Sequence, residues 1–193
     1  MRYSRFRAAA AQHWRAIIVA TCVAAIFVAA ALIWSRPATS VSRSAGPPVP
    51  GYASVSRPAP AFDLPRLAGG GAVQLSALRG RPVVINFWSS SCAPCQKESP
   101  AIAQVARAMG DKVAFIGIDT ADVRNAALAF VKKKHVAYSV AYDPQATTAS
   151  KYHVPGLPET FFLARSGTQI VGLQLGALTA PHLTAILHKL YGV

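Results

Sequence analysis

Cys92-Ala93-Pro94-Cys95 stands between the unbroken apolar run Pro82-Val83-Val84-Ile85-Asn86-Phe87-Trp88 and a segment with helical spacing. That junction restricts the chain to folds in which a buried strand hands over directly to a helix. Two thiols three positions apart at such a place are arranged for reversible disulfide chemistry. The first turn of a helix offers unpaired N–H groups and a partial positive charge, and both favour a thiolate at the leading cysteine. Lowering a cysteine pKa from about 8.5 to about 7 takes about 2 kcal/mol, within reach of a helix terminus with local hydrogen bonds. As a structural staple the pair would close too small a loop to contribute much, about 2 kcal/mol against about 3 for a 15-residue loop. A structural zinc site would need a second pair, and the one other cysteine, Cys22, lies far upstream in an apolar segment.

The upstream segment sets the expected topology. Ala16 to Trp34 is an uncharged 19-residue stretch preceded by Arg2, Arg5, Arg7 and Arg15. As a helix it would span about 28 Å, close to the roughly 30 Å of a bilayer's hydrocarbon core. The positive-inside rule leaves residues 1–15 in the cytoplasm and everything after Trp34 outside it. A cleavable signal peptide is the competing reading, with Ala29-Ala30-Ala31 as its small-residue site, but the apolar stretch runs on to Trp34. An uncleaved signal anchor is therefore expected, with Cys22 a small apolar residue of the membrane helix. Residues 35–60 are rich in Pro, Ser, Ala and Gly without a hydrophobic period, which predicts a flexible tether.

The net charge of +13 divides unevenly, with seven basic and no acidic residues in 1–60, and 13 basic and seven acidic in 61–193. Basicity thus belongs largely to topology and tether, and Lys132-Lys133-Lys134 suits the solvated C-terminal end of a helix. No basic-aromatic recognition motif accompanies it, so no nucleic acid partner is expected.

From residue 61 short apolar strands alternate with helical patterns, which predicts one α/β domain over 61–193 with helices around a central sheet. Strands are expected at 73–75, 82–88, 113–119, 138–142, 160–164 and 170–175. Helices are expected at 92–109, kinked at Pro100, at 122–135 with Val123, Leu128 and Val131 on the buried side, at 146–152 and at 179–190.

Four segments in this order carry a family resemblance: Ala59-Pro60-Ala61-Phe62-Asp63-Leu64, Leu78 through Trp88, Cys92-Ala93-Pro94-Cys95-Gln96-Lys97-Glu98-Ser99-Pro100, and Val154-Pro155-Gly156-Leu157-Pro158-Glu159-Thr160-Phe161. Over residues 59–193 the chain resembles the thioredoxin superfamily and, within it, the membrane-anchored TlpA/ResA/CcmG-like thiol-disulfide oxidoreductases. The resemblance implies a thioredoxin-like three-layer sandwich with a central mixed sheet. It implies that Cys92 is the nucleophile, Cys95 the resolving thiol, and Pro158 the cis-proline beside them. Glu98, one helical turn after Cys95, would handle protons, a role reinforced because Asn86 occupies the strand position of the buried aspartate of cytoplasmic thioredoxins. Trp88, Ala93, Pro94, Leu157 and Glu159 would form the surface that meets substrate, with Glu159 as an acidic lip. Ser91 departs from the pattern, standing where most relatives place tryptophan.

The function expected is a membrane-tethered reductant of extracytoplasmic protein disulfides, such as those of apocytochrome c, recharged by a transmembrane thiol reductant. No cofactor is expected beyond the Cys92–Cys95 redox pair. The alternatives are a general disulfide oxidase or isomerase, and a copper-binding metallochaperone with His153 as the candidate third ligand. A peroxidase is disfavoured because the chain lacks a Pro-x-x-x-Thr-x-x-Cys segment.

Overall fold

The computed structural model describes residues 50–193. The segments 1–15 and 16–34 lie outside the described residues, as does most of 35–60. Among the described residues no helix is long and apolar enough to cross a membrane.

Eight strands form in chain order: β1 (Tyr52–Pro58), β2 (Asp63–Pro65), β3 (Ala72–Gln74), β4 (Val83–Trp88), β5 (Ala114–Thr120), β6 (Ser139–Asp143), β7 (Glu159–Leu163) and β8 (Gln169–Leu175). The helices are α1 (Ala93–Met109), α2 (Arg124–Lys133), α3 (Thr147–Tyr152) and α4 (Ala180–Tyr191). Six strands make one sheet in the order β1-β8-β7-β4-β5-β6, while β2 and β3 pair separately. β4, β5 and β6 run parallel, and β7, β8 and β1 are antiparallel additions, so the sheet is mixed as the resemblance implies.

Alternation along β4 divides the core. Val83, Ile85 and Phe87 face a cluster completed by Ala149 and Tyr152 of α3 and by Val73 and Leu75. Val84 faces the opposite cluster with Ile102 and Val105 of α1 and Leu183, Ile186 and Leu187 of α4. Trp88, on that second side, packs with Ala127 and Phe130 of α2. All six β4 residues are buried, the result of a strand covered on both faces. Where β5 passes beneath the Trp88 indole the chain has Gly117, and a Cβ there would come within 2.7 Å of the indole nitrogen.

Three expectations need correction. The tether does not reach residue 60, because Tyr52–Pro58 pairs along β8 and Tyr52 packs edge-on against Phe162 at 6.1 Å. The alternation there is weak because β1 is an edge strand with a largely exposed pattern. The strand near residue 73 is not part of the main sheet but the partner of β2. Val123 is not on a buried helix face: it precedes α2 and is 69% exposed, while Ala127 and Phe130 carry the packing. α1 continues through Pro100 to Met109.

Candidate active site

The redox pair sits at the carboxyl end of β4. Cys92 is the N-cap residue of α1, and its Sγ accepts the Cys95 N–H at 3.2 Å. Cys92 and Cys95 are joined as a disulfide. Cys92 is half-buried and Cys95 is 1% exposed, so only the leading sulfur is open to an incoming partner. The N–H that meets Cys92 Sγ would also stabilise a thiolate there.

Several bonds fix the turn before Cys92. Ser89 accepts the Cys92 N–H, and Gln96 donates its side-chain amide to the Ser90 carbonyl at 2.8 Å. The Asp122 carboxylate accepts the Ser90 N–H and, at 3.0 Å, the Ser90 hydroxyl. Ser91, standing where relatives have tryptophan, is exposed, and its hydroxyl lies 3.3 Å from that of Ser89.

Glu98 is buried beneath the pair. One carboxylate oxygen accepts the Asn86 side-chain amide at 2.8 Å, and the other accepts the Leu178 N–H at 2.8 Å. Asn86 also donates to the Thr160 hydroxyl at 3.0 Å. Burial pushes the Glu98 carboxyl up to about 7 against the opposing effect of these bonds. A carboxyl near neutrality, one helical turn after the resolving thiol, can exchange a proton at physiological pH. Asn86 and Cys95 line the same small void with Trp88, Ser99 and Tyr138.

The Leu157-Pro158 bond is cis. Leu157 and Cys92 both pack against the cluster of Leu67, Trp88, Cys95, Ala127, Phe130 and Val140, which brings the proline segment to the redox pair. Ala93 and Pro94 are exposed, and Leu157 is half-buried, so these three can meet a substrate.

Two residues expected at that surface are not there. Trp88 is 3% exposed and stacks on Phe130 with ring centroids 4.5 Å apart, because its strand position faces α2. Glu159 is 2% exposed, because every residue of the interior strand β7 is buried, and one of its carboxylate oxygens is unpartnered. It forms no acidic lip, and burial pushes its carboxyl up to about 7 against the pull of Arg57. His153 caps the C-terminal end of α3 and is exposed. Among the described residues no group of three or more His, Cys, Asp or Glu side chains is arranged to hold a metal ion.

Asp119, Asp122 and Ser90 were not singled out from the sequence. A lone acid ending the apolar strand Ala114-Phe115-Ile116-Gly117-Ile118 was the available signal.

Comparison with known proteins agrees with this geometry. A profile of the AhpC/TSA family matches residues 55–169. The chain is 30% identical over 137 residues to thiol-disulfide oxidoreductase ResA of Bacillus cereus, covering 70% of this chain and 78% of that one. It is 32% identical over 114 residues to thiol:disulfide interchange protein DsbE of Pseudomonas fluorescens, covering 58% and 62% respectively. Among solved structures, a DsbF homologue from Corynebacterium diphtheriae superimposes with a TM-score of 0.67 at 28% identity, over 76% of this chain and 97% of the other. A secreted Mycobacterium tuberculosis disulfide oxidoreductase homologous to E. coli DsbE superimposes with a TM-score of 0.61 at 28% identity, over 67% and 96%. The chain therefore belongs to the AhpC/TSA family as a thioredoxin-fold thiol-disulfide oxidoreductase.

Proposed function

We propose that the protein is a membrane-tethered reductant of specific protein disulfides outside the cytoplasm, with apocytochrome c the first candidate substrate and a transmembrane thiol protein as its electron donor. The observation that carries the reading is the asymmetry of the pair, an accessible Cys92 capping α1 and a buried Cys95 one turn before a buried carboxyl. The uncharged run at 16–34 behind four arginines supports the tether, and the ResA and DsbE relatives support the class of chemistry. An oxidising compartment demands a reductant that is selective and continuously recharged.

In the reduced protein the Cys92 thiolate attacks one sulfur of the substrate disulfide. The S–S bond of the substrate breaks, its other sulfur leaves as a thiolate and takes a proton, and a mixed disulfide forms on Cys92. Cys95 then gives up its proton, with Glu98 as the acceptor, and attacks Cys92 Sγ. The Cys92–Cys95 disulfide forms, the second substrate thiolate leaves, and two electrons have passed to the substrate. The exposed Ala93 and Pro94 and the half-buried Leu157 flank the attack, and the backbone at Leu157 offers pairing to an extended segment.

Replacing the resolving thiol tests the reading. Cys95→Ser should accumulate mixed disulfides on Cys92 with cysteine-pair proteins of the outer face, and Cys92→Ser should accumulate none. A reductant also needs a couple well below the roughly −120 mV of a strong oxidase. A potential that high, or an empty trap, would transfer the assignment to the oxidase or metal-binding class. A reporter active only outside the cytoplasm, fused after Val193, should work and sediment with membranes; an inactive fusion that is made in full would reverse the topology.

A further inference from the structure

At the end of β5 lies an acid that the exchange reaction does not use. Asp119 is 0% exposed, and both its carboxyl oxygens are without a hydrogen-bond donor. An ionised carboxylate cannot be held in that state without a large desolvation cost, whereas a neutral acid brings its own donor. We propose that Asp119 is a positioning residue for thiol–disulfide exchange: as a neutral acid it donates its proton in a hydrogen bond to Asp122, and the two together hold the turn that presents Cys92.

Of the charged groups facing Asp119 among the described residues, Asp122 and Asp143 favour this arrangement and Arg124 opposes it. Asp122 follows three residues later, after Ala121 has taken a left-handed conformation with φ of 52°, and its carboxylate reaches back to Ser90. It also accepts the Val123 N–H at 2.7 Å. Asp143, at the end of β6, has its carboxylate occupied by the N–H groups of Thr147, Thr148 and Ala149. Arg124, the one nearby cation, donates to the carbonyls of Arg66 and Leu67 and lies 4.2 Å over the Tyr142 ring. Among the described residues no cation forms an ion pair with Asp119, so its charge would stand beside that of Asp122.

Burial first, then the neighbouring Asp122 carboxylate and the Asp143 charge, push the Asp119 carboxyl up to about 8 against the pull of Arg124, while Asp122, held by the amides and hydroxyl it accepts, is lowered. The pair thus carries one proton at neutral pH. Above about 8 the proton leaves, two carboxylates face each other, and Asp122 is driven away from the Ser89–Ser91 turn. Reactivity per thiolate at Cys92 would then fall with rising pH.

The test uses the reduced protein and rests on the assignment of Cys92 as nucleophile. Iodoacetamide alkylation is followed from pH 6 to 10, with the thiolate fraction measured by ultraviolet absorbance, so that each rate is expressed per thiolate. The wild-type value should fall severalfold through one transition centred near 8 to a lower plateau, as the protonated pair is depleted. Asp119→Asn should stay flat, since its amide donates to Asp122 at every pH. A flat wild-type profile, or the same fall in Asp119→Asn, would overturn the proposal. Carboxyl carbon NMR on the wild-type protein decides the matter even if the variant fails to fold: titration of Asp119 near 8 supports the pair and titration near 4 refutes it. Persistent fast alkylation in Cys92→Ser would instead remove the nucleophile assignment, and this proposal with it.

Discussion

Glu98 joins proton chemistry to stability in one side chain. Its folded-state carboxyl lies near 7 against an ordinary value of 4.5, so the unfolded chain releases the proton first. The stability it confers is therefore full below about pH 4.5 and is lost as pH rises through about 7, a change of about 3 kcal/mol. Glu159, raised by burial to the same value, adds a slope of the same sign. Glu98→Gln should flatten the Glu98 part of the slope in denaturant titrations between pH 4.5 and 7. It should also cost about 1–2 kcal/mol at pH 5, because one amide oxygen cannot serve both Asn86 and Leu178. In single-turnover disulfide reduction, the pH transition near 7 in the resolving step should vanish; an unchanged transition would remove Glu98 from proton transfer.

At the scale of elements, α3 depends on one residue outside it. Its N-cap position is Ala146, which offers no side-chain bond, and Asp143 supplies the missing acceptor to Thr147, Thr148 and Ala149 at 2.9, 2.9 and 3.0 Å. Six residues cannot sustain a helix on propensity alone. Asp143→Ala should destabilise the protein by about 2–3 kcal/mol in urea unfolding, and Asp143→Asn by less, since its amide oxygen still accepts. Gly117 governs a second contact, between β5 and the Trp88 indole. Gly117→Ala should cost about 1–3 kcal/mol and shift the Trp88 fluorescence, since the indole or the strand must move. The β4–α1 junction was legible because continuous apolar residues and a cysteine at a helix start report local physics. Trp88 and Glu159 were misplaced because spacing along a strand shows alternation but not which helix covers each face. Asp119 was overlooked because its role needs Asp122 and Ser90, which come together only through the folded turn.

For the whole molecule, the corrected boundary matters most. β1 covers β8 and inserts Tyr52 against Gly172, where a Cβ would meet the tyrosine ring within 3.2 Å, while Arg57 donates to the Tyr152 carbonyl at 3.0 Å. A chain beginning at Pro50 should therefore unfold cooperatively, whereas one beginning at Ala61 should melt lower and scatter light on heating, with β8 left as an open edge. Equal melting would return Tyr52–Pro58 to the tether. The parallel strands and the cysteine junction could be read from composition and order, but β1 could not, since its pairing is settled by a partner more than a hundred residues away. The Glu98–Asn86 pair, finally, is where four distant stretches are fastened: α1 through Glu98, β4 through Asn86, β7 through the Thr160 hydroxyl that accepts from Asn86, and the segment leading to α4 through the Leu178 N–H that Glu98 accepts. The lineage is thereby constrained as much as the molecule. Asn86, Glu98 and Thr160 should drift together or stay fixed, because a change in any one alters both how the protein manages protons and how its layers are clasped.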